Sequence, residues 1–187
     1  MSKTDSYLHF SPDSISELRD WLQLNHESLP GAWIIFWKKC SNKPYIPYSD
    51  FVDELLCYGW IDSTIRPINK DSYRQLITPR KPKSVWSKVN KDKIDKLISE
   101  DRLMPKALES ITIAKENGSW SILDSVERLE VPNDLQSELI KIDRGLEKFE
   151  ALPRSRIKLH LQHLVLAKRE ATRAKRIESI IEDISKI

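Results

Sequence analysis

Glycine is scarce in this chain of 187 residues, which holds only four. A phosphate-cradling loop needs several glycines to bring backbone N–H groups close to the anion, so that class of nucleotide site is disfavoured. Cysteine is scarcer: Cys40 and Cys57 stand far apart and form no C-x-x-C pair. A disulfide scaffold and a zinc ribbon are therefore poor readings, and a reducing compartment is the natural one. No apolar run approaches the roughly 20 residues that cross a bilayer. The longest, Ala32 to Trp37, has the length of a strand, and Met1 to Phe10 is polar with no apolar signal-peptide core. The expectation is a cytoplasmic protein with no membrane span. Net charge is +3, too small by itself to imply nucleic acid.

Apolar residues make up 40% of the chain and charged residues 32%, enough for a core and a solvated surface. The length fits one domain with a small helical appendage, expected as 1–125 and 126–187. Charge is unevenly spread. Arg66 to Lys96 carries ten basic and three acidic residues, and Arg154 to Arg176 carries eight basic and one acidic. Acids outnumber bases between Trp120 and Glu150.

Local patterns outline the elements. Ser11-Pro12-Asp13 reads as a helix start before Ile15, Leu18 and Leu22. Trp33 to Trp37 is apolar on both alternating faces and reads as a central strand. Ser49 is the expected cap of a second helix, whose acids Asp50, Asp53 and Glu54 suit its dipole, and Gly59 stops it. Trp60 to Arg66 alternates as a strand and Tyr73 to Thr78 returns as its hairpin partner. Helices follow, from a cap at Ser87 or Asn90, from Pro105 to Asn117-Gly118, and throughout the chain after Pro132. The predicted fold class is α+β: a small, mainly antiparallel sheet of about three strands packed with helices, then a C-terminal helical module.

Candidate sites are few. If the hairpin closes, Trp60, Asp62, Arg80, Lys83 and Trp86 are expected to lie near one another, with Asp62 pairing with Arg66 or Arg80. Guanidinium and ammonium groups beside indoles suit a phosphate or a carboxylate. The alternative is that the ion pairs are closed and the tryptophans fill the core. Cys57 has no histidine near it in sequence and reads first as a buried apolar residue. His160 and His163, at i and i+3, lack the further ligand that a zinc site needs. Lys168, Arg169, Arg173 and Arg176 form a basic stretch that suits nucleic acid, an acidic partner or an ordinary solvated face. Neither a metal nor a cofactor is expected, and no catalytic constellation can be read.

Three stretches carry a family resemblance: Leu56-Cys57-Tyr58-Gly59-Trp60-Ile61-Asp62-Ser63, the P-R-K-x-K-S-x-W-S-x-x-N pattern from Pro79 to Asn90, and Ala167 to Ile177. In these the chain resembles the YdeI/OmpD-associated, or bacteriocin-protection, family. The resemblance implies a body similar to YjbR/CyaY-like α+β domains. The family's names refer to bacteriocin tolerance and to an association with an outer-membrane porin, and the leading reading is a non-enzymatic binding protein linked to envelope or bacteriocin stress. The resemblance supplies no catalytic residues. One departure is Asp101 in Asp101-Arg102-Leu103-Met104, where relatives carry a glycine suited to a helix C-cap. Two other readings stand beside this one: a nucleic-acid-binding module, and a small-anion receptor or enzyme with a Trp/Asp/Arg pocket.

Overall fold

The computed structural model describes residues 3–187. The chain divides into two units, one of Met1–Ser84 with Val89–Trp120, the other of Val85–Lys88 with Ser121–Ile187.

The first unit is α+β. Its sheet has four strands, β1 (Leu8–Phe10), β2 (Ala32–Trp37), β3 (Trp60–Pro67) and β4 (Ser72–Pro79), in the order β1-β2-β4-β3. The sequence pattern predicts about three, and the fourth is β1, paired parallel with β2 through Leu8↔Ala32 and Phe10↔Ile34. A three-residue edge strand is too short for its alternation to show. Its parallel pairing is made by a helical crossover, α1 (Ile15–Asn25), that no local pattern announces. The other pairings are antiparallel, and the apolar Ala32-Trp33-Ile34 run is fully buried as its composition requires.

Helix α1 begins later than Ser11-Pro12. Ser14 is its cap, with Oγ accepting from the Glu17 N–H at 3.1 Å. Helix α2 (Tyr48–Cys57) starts after Pro47 instead of at Ser49. Both helices bury apolar faces: Leu18 and Leu22 of α1 and Phe51 of α2 are sealed, and Phe51 meets Phe36 of β2 edge to face at 4.7 Å. Two further helices, α3 (Lys88–Ser99) and α4 (Pro105–Glu116), turn in Ile94, Leu97, Ala107 and Ile111. Two residues beyond the end of α3, Asp101 adopts the left-handed conformation with φ 53°.

The second unit is helical: α5 (Asp124–Glu127), α6 (Asn133–Leu139), α7 (Gly145–Glu150), α8 (Arg154–Val165) and α9 (Glu170–Ser185). Leu135, Leu139, Phe149, Leu161, Leu164, Ile180 and Ile184 form its core, and Val85 packs against that cluster. Among the described residues no helix is long and apolar enough to cross a membrane.

Candidate functional site

The junction of α2 and β3 builds a cavity. Tyr58 closes α2, and Gly59, with φ +70°, turns the chain into β3. A Cβ at Gly59 would stand 3.1 Å from the Lys106 carbonyl and 3.2 Å from the Ala107 Cα, so the start of α4 rests directly against a residue without a side chain. The Gly59 carbonyl accepts from the Arg80 N–H at 2.9 Å, and Trp60 pairs with Pro79. The beginning of β3 and the end of β4 are thereby tied together.

Between these ends, the end of α1 and the face of α4 lies a cavity of about 460 Å³. Tyr58, Trp60 and Pro79 give it aromatic and apolar walls; Arg80, Lys81 and Lys106 bring cations and Glu27 and Glu109 carboxylates, with Lys106 holding Glu109 at 2.7 Å. Trp60 is buried and donates from Nε1 to the His26 carbonyl at 3.1 Å. The His26 ring stands over Tyr58 at 5.0 Å. Arg80 is 9% exposed. Its burial pushes the guanidinium pKa down to about 10, against the opposing pull of the Asp62 carboxylate.

Of the residues singled out in the sequence, Trp60 and Arg80 line this cavity. Asp62 points its carboxylate to a polar trio: Oδ2 accepts from Tyr48 Oη at 2.8 Å and from Gln75 Nε2. Burial and that bond raise the Tyr48 hydroxyl to about 12. Lys83 is exposed in the loop, and Trp86 is buried and belongs to the second unit.

The expected Asp62–Arg66 pair does not form. A register shift between Asp62 and Ile65 sets Asp62 opposite Ile77 and Arg66 opposite Arg74, so the two side chains leave on opposite faces of the sheet. Arg66 instead binds Asp5 at 2.8 Å and lies 5.1 Å over the Trp33 ring, with Arg74 over the same ring at 4.5 Å.

Of the acids expected at the start of α2, Asp50 lies in its first turn, but Asp53 and Glu54 lie deeper and are 9% and 2% exposed, with Asp53 paired with Lys93. Glu54 is the more completely buried. Its Oε2 accepts from Arg19 Nε at 3.0 Å, and its Oε1 from Arg19 Nη2 at 2.7 Å and Arg102 Nη2 at 2.5 Å. The signal was present: Glu54 sits at helical spacing from Phe51 and Tyr58, a carboxylate on the buried stripe. Such a charge needs partners brought from elsewhere in the fold. Nearby Cys57 is sealed, and burial pushes its thiol up to about 11.

In the second unit the basic stretch is partly consumed at home. Arg173 holds Asp134 with Nε at 2.5 Å and Nη2 at 2.8 Å and donates to the Leu164 carbonyl at 2.8 Å; Arg176 donates to the His163 carbonyl. Both arginines thus satisfy the last turn of α8, as cations at a helix C-terminus do. Lys168 and Arg169 are exposed. His160 packs 6.2 Å from the Phe149 ring, while His163 is exposed.

The molecule is thus a two-unit protein, an α+β unit with an aromatic cavity lined by charges of both signs and a helical unit. The chain belongs to the family described as Domain of unknown function (DUF8412), matched over residues 10–110, and carries over residues 128–186 a domain described as Bacteriocin-protection, YdeI or OmpD-Associated. The stretches around Gly59-Trp60 and Pro79-Asn90 fall in the first match, and Ala167–Ile177 falls in the second. Neither the curated proteins nor the solved structures yielded a match.

Proposed function

We propose that this is a non-enzymatic binding protein whose α+β unit takes a small ligand with an anionic group and an apolar body. The observation that carries the reading is the cavity lining, where Tyr58, Trp60 and Pro79 stand beside Arg80, Lys81 and Lys106, three cations against the two carboxylates of Glu27 and Glu109. Guanidinium and ammonium groups beside aromatic faces suit an anionic group on an apolar body. The cavity's volume of about 460 Å³ lies within the range of small-molecule sites. Burial raises the Cys57 thiol to about 11, which disfavours that one residue as a nucleophile and agrees with the non-enzymatic part of the proposal.

A role in bacteriocin or envelope stress, with a partner at the envelope, is part of the same proposal and is supported by the description of the domain at 128–186. Residence in the cytoplasm is proposed too, supported by Cys40 and Cys57 being free thiols.

The test is a titration of the full chain with benzoate and phenyl phosphate, read by tryptophan fluorescence and by thermal shift. Saturable quenching with a rise in Tm, both lost in a folded Arg80→Gln variant, is the expected result. Unchanged fluorescence and Tm at tens of millimolar of either probe would remove the proposal.

A further inference from the structure

Tyr58 also lines a second cleft, of about 510 Å³, together with Arg19, Glu54, Asp101, Arg102 and Met104. The buried Glu54 on its lining uses both carboxylate oxygens to hold two guanidiniums. A guanidinium carries five N–H donors in a rigid fork. Glu54 takes two from Arg19 and one from Arg102, and Glu100 takes one more from Arg102 at 3.1 Å. Most of the donors on both groups are left over. The two side chains are 48% and 31% exposed and both line the cleft, so they are open to water there. Glu54 has already fixed the rotamers, which lowers the entropic cost of using those donors on a ligand.

The charges select the ligand. Two guanidiniums less the Glu54 carboxylate leave one positive charge inside the cleft. Asp101, on its lining, adds one negative charge, and its left-handed backbone at φ 53° sets where that carboxylate starts from. Glu100 is already engaged by Arg102 and by Lys96 at 3.6 Å. A doubly charged anion would meet a lining with no net attraction and would be repelled by Asp101. A molecule with one carboxylate and one ammonium matches both charges, and Tyr58 and Met104 offer apolar surface to its side chain. We propose that this cleft binds a free α-amino acid as its zwitterion, carboxylate on Arg19 and Arg102, ammonium on Asp101. The site is separate from the cavity at Arg80 and stands or falls independently of it.

The experiment follows the arginine Nε–Hε and backbone amide signals of the full chain by NMR during titration with L-leucine, N-acetyl-L-leucine and inorganic phosphate. L-leucine should move the Arg19 and Arg102 signals saturably, and N-acetyl-L-leucine should bind about tenfold more weakly, the scale of one charge-assisted hydrogen bond. Asp101→Asn, which keeps a residue tolerant of the left-handed conformation, should weaken leucine about tenfold and leave the acetylated probe unchanged. Arg102→Lys, which keeps the charge and loses the fork, should weaken both. The proposal is overturned if leucine moves none of these signals, if phosphate binds as well as leucine, or if Asp101→Asn leaves leucine unaffected. The Asp101→Asn comparison decides the matter even where Arg102→Lys does not fold.

Discussion

Arg19, on α1, closes on Glu54, on α2, with two hydrogen bonds of 3.0 Å and 2.7 Å, so a buried carboxylate ties these two helices together. Removing one member of a buried pair costs about 3–5 kcal/mol. Glu54→Gln leaves two guanidiniums that can turn to water, so its cost should fall near the low end, about 3 kcal/mol. Arg19→Ala leaves Glu54 its bond to Arg102 and should cost about half as much. Urea unfolding of both variants checks the order; Arg19→Ala proving the costlier would show that Glu54 is not the anchor.

The two thiols should differ sharply. Cys40 is exposed, whereas Cys57 is 2% exposed with its pKa raised to about 11. Iodoacetamide near neutral pH should modify one thiol per native chain, at Cys40, and two after unfolding. Peptide mapping that finds Cys57 modified first would contradict the geometry.

His160 should make the helical unit sensitive to mild acid. Burial lowers its pKa, with Arg156 and His163 acting in the same direction and Asp183 opposing. The folded state therefore takes up the proton less readily than the unfolded chain. The stabilisation is fully present above the unfolded value of about 6.5 and is lost as pH falls through the folded one. Tm measured from pH 7.5 to 5 should decline, and His160→Leu should flatten that decline. An identical slope in the variant would assign the acid sensitivity to other groups.

At Asp101 the left-handed backbone suits glycine better than aspartate. Asp101→Gly should stabilise the first unit by about 0.5–1 kcal/mol. By removing the carboxylate it should also abolish the preference for an amino acid over its N-acetyl form. Chemical unfolding and the NMR titration read the two effects separately, and a destabilised variant would show that the Asp101 side chain makes a stabilising contact.

Gly145 presents the opposite case. A Cβ there would run into the Leu139 carbonyl and come within 2.9 Å of the Ile142 Cβ. Gly145→Ala should cost about 1–3 kcal/mol, as overpacking does, although alanine is otherwise the better helix former. A stabilised variant, judged by thermal unfolding, would mean that the α6–α7 turn yields easily.

What could be read from the sequence was what alternation and capping report. Trp33 to Trp37, the hairpin from Trp60 to Thr78, the stop at Gly59 and the end of α4 at Asn117-Gly118 all lie where their residues indicate. What was hidden depends on one extra residue or on a distant one. Strict alternation puts Asp62 and Arg66 on one face, and the irregularity between Asp62 and Ile65 undoes it. Thr64 and its neighbours carry no glycine to mark the bulge. Glu54 was legible as a carboxylate but not as a buried one, because Arg102 arrives from 48 residues away. Trp60 and Arg80 could be linked through the hairpin, since the pairing Trp60↔Pro79 follows from its turn.

The four residues Val85–Lys88 belong to the second unit although the chain on either side of them belongs to the first. The polypeptide therefore enters the helical unit, leaves it and comes back, as a thread stitched through cloth. No single scission separates the halves cleanly. A fragment beginning at residue 121 lacks Val85, which packs on its apolar cluster, and one ending at residue 120 carries Val85 away from what it packs against. Fragments cut at the limits of the two family matches, 10–110 and 128–186, inherit the same defect. The shortest faithful unit for study is the chain as a whole.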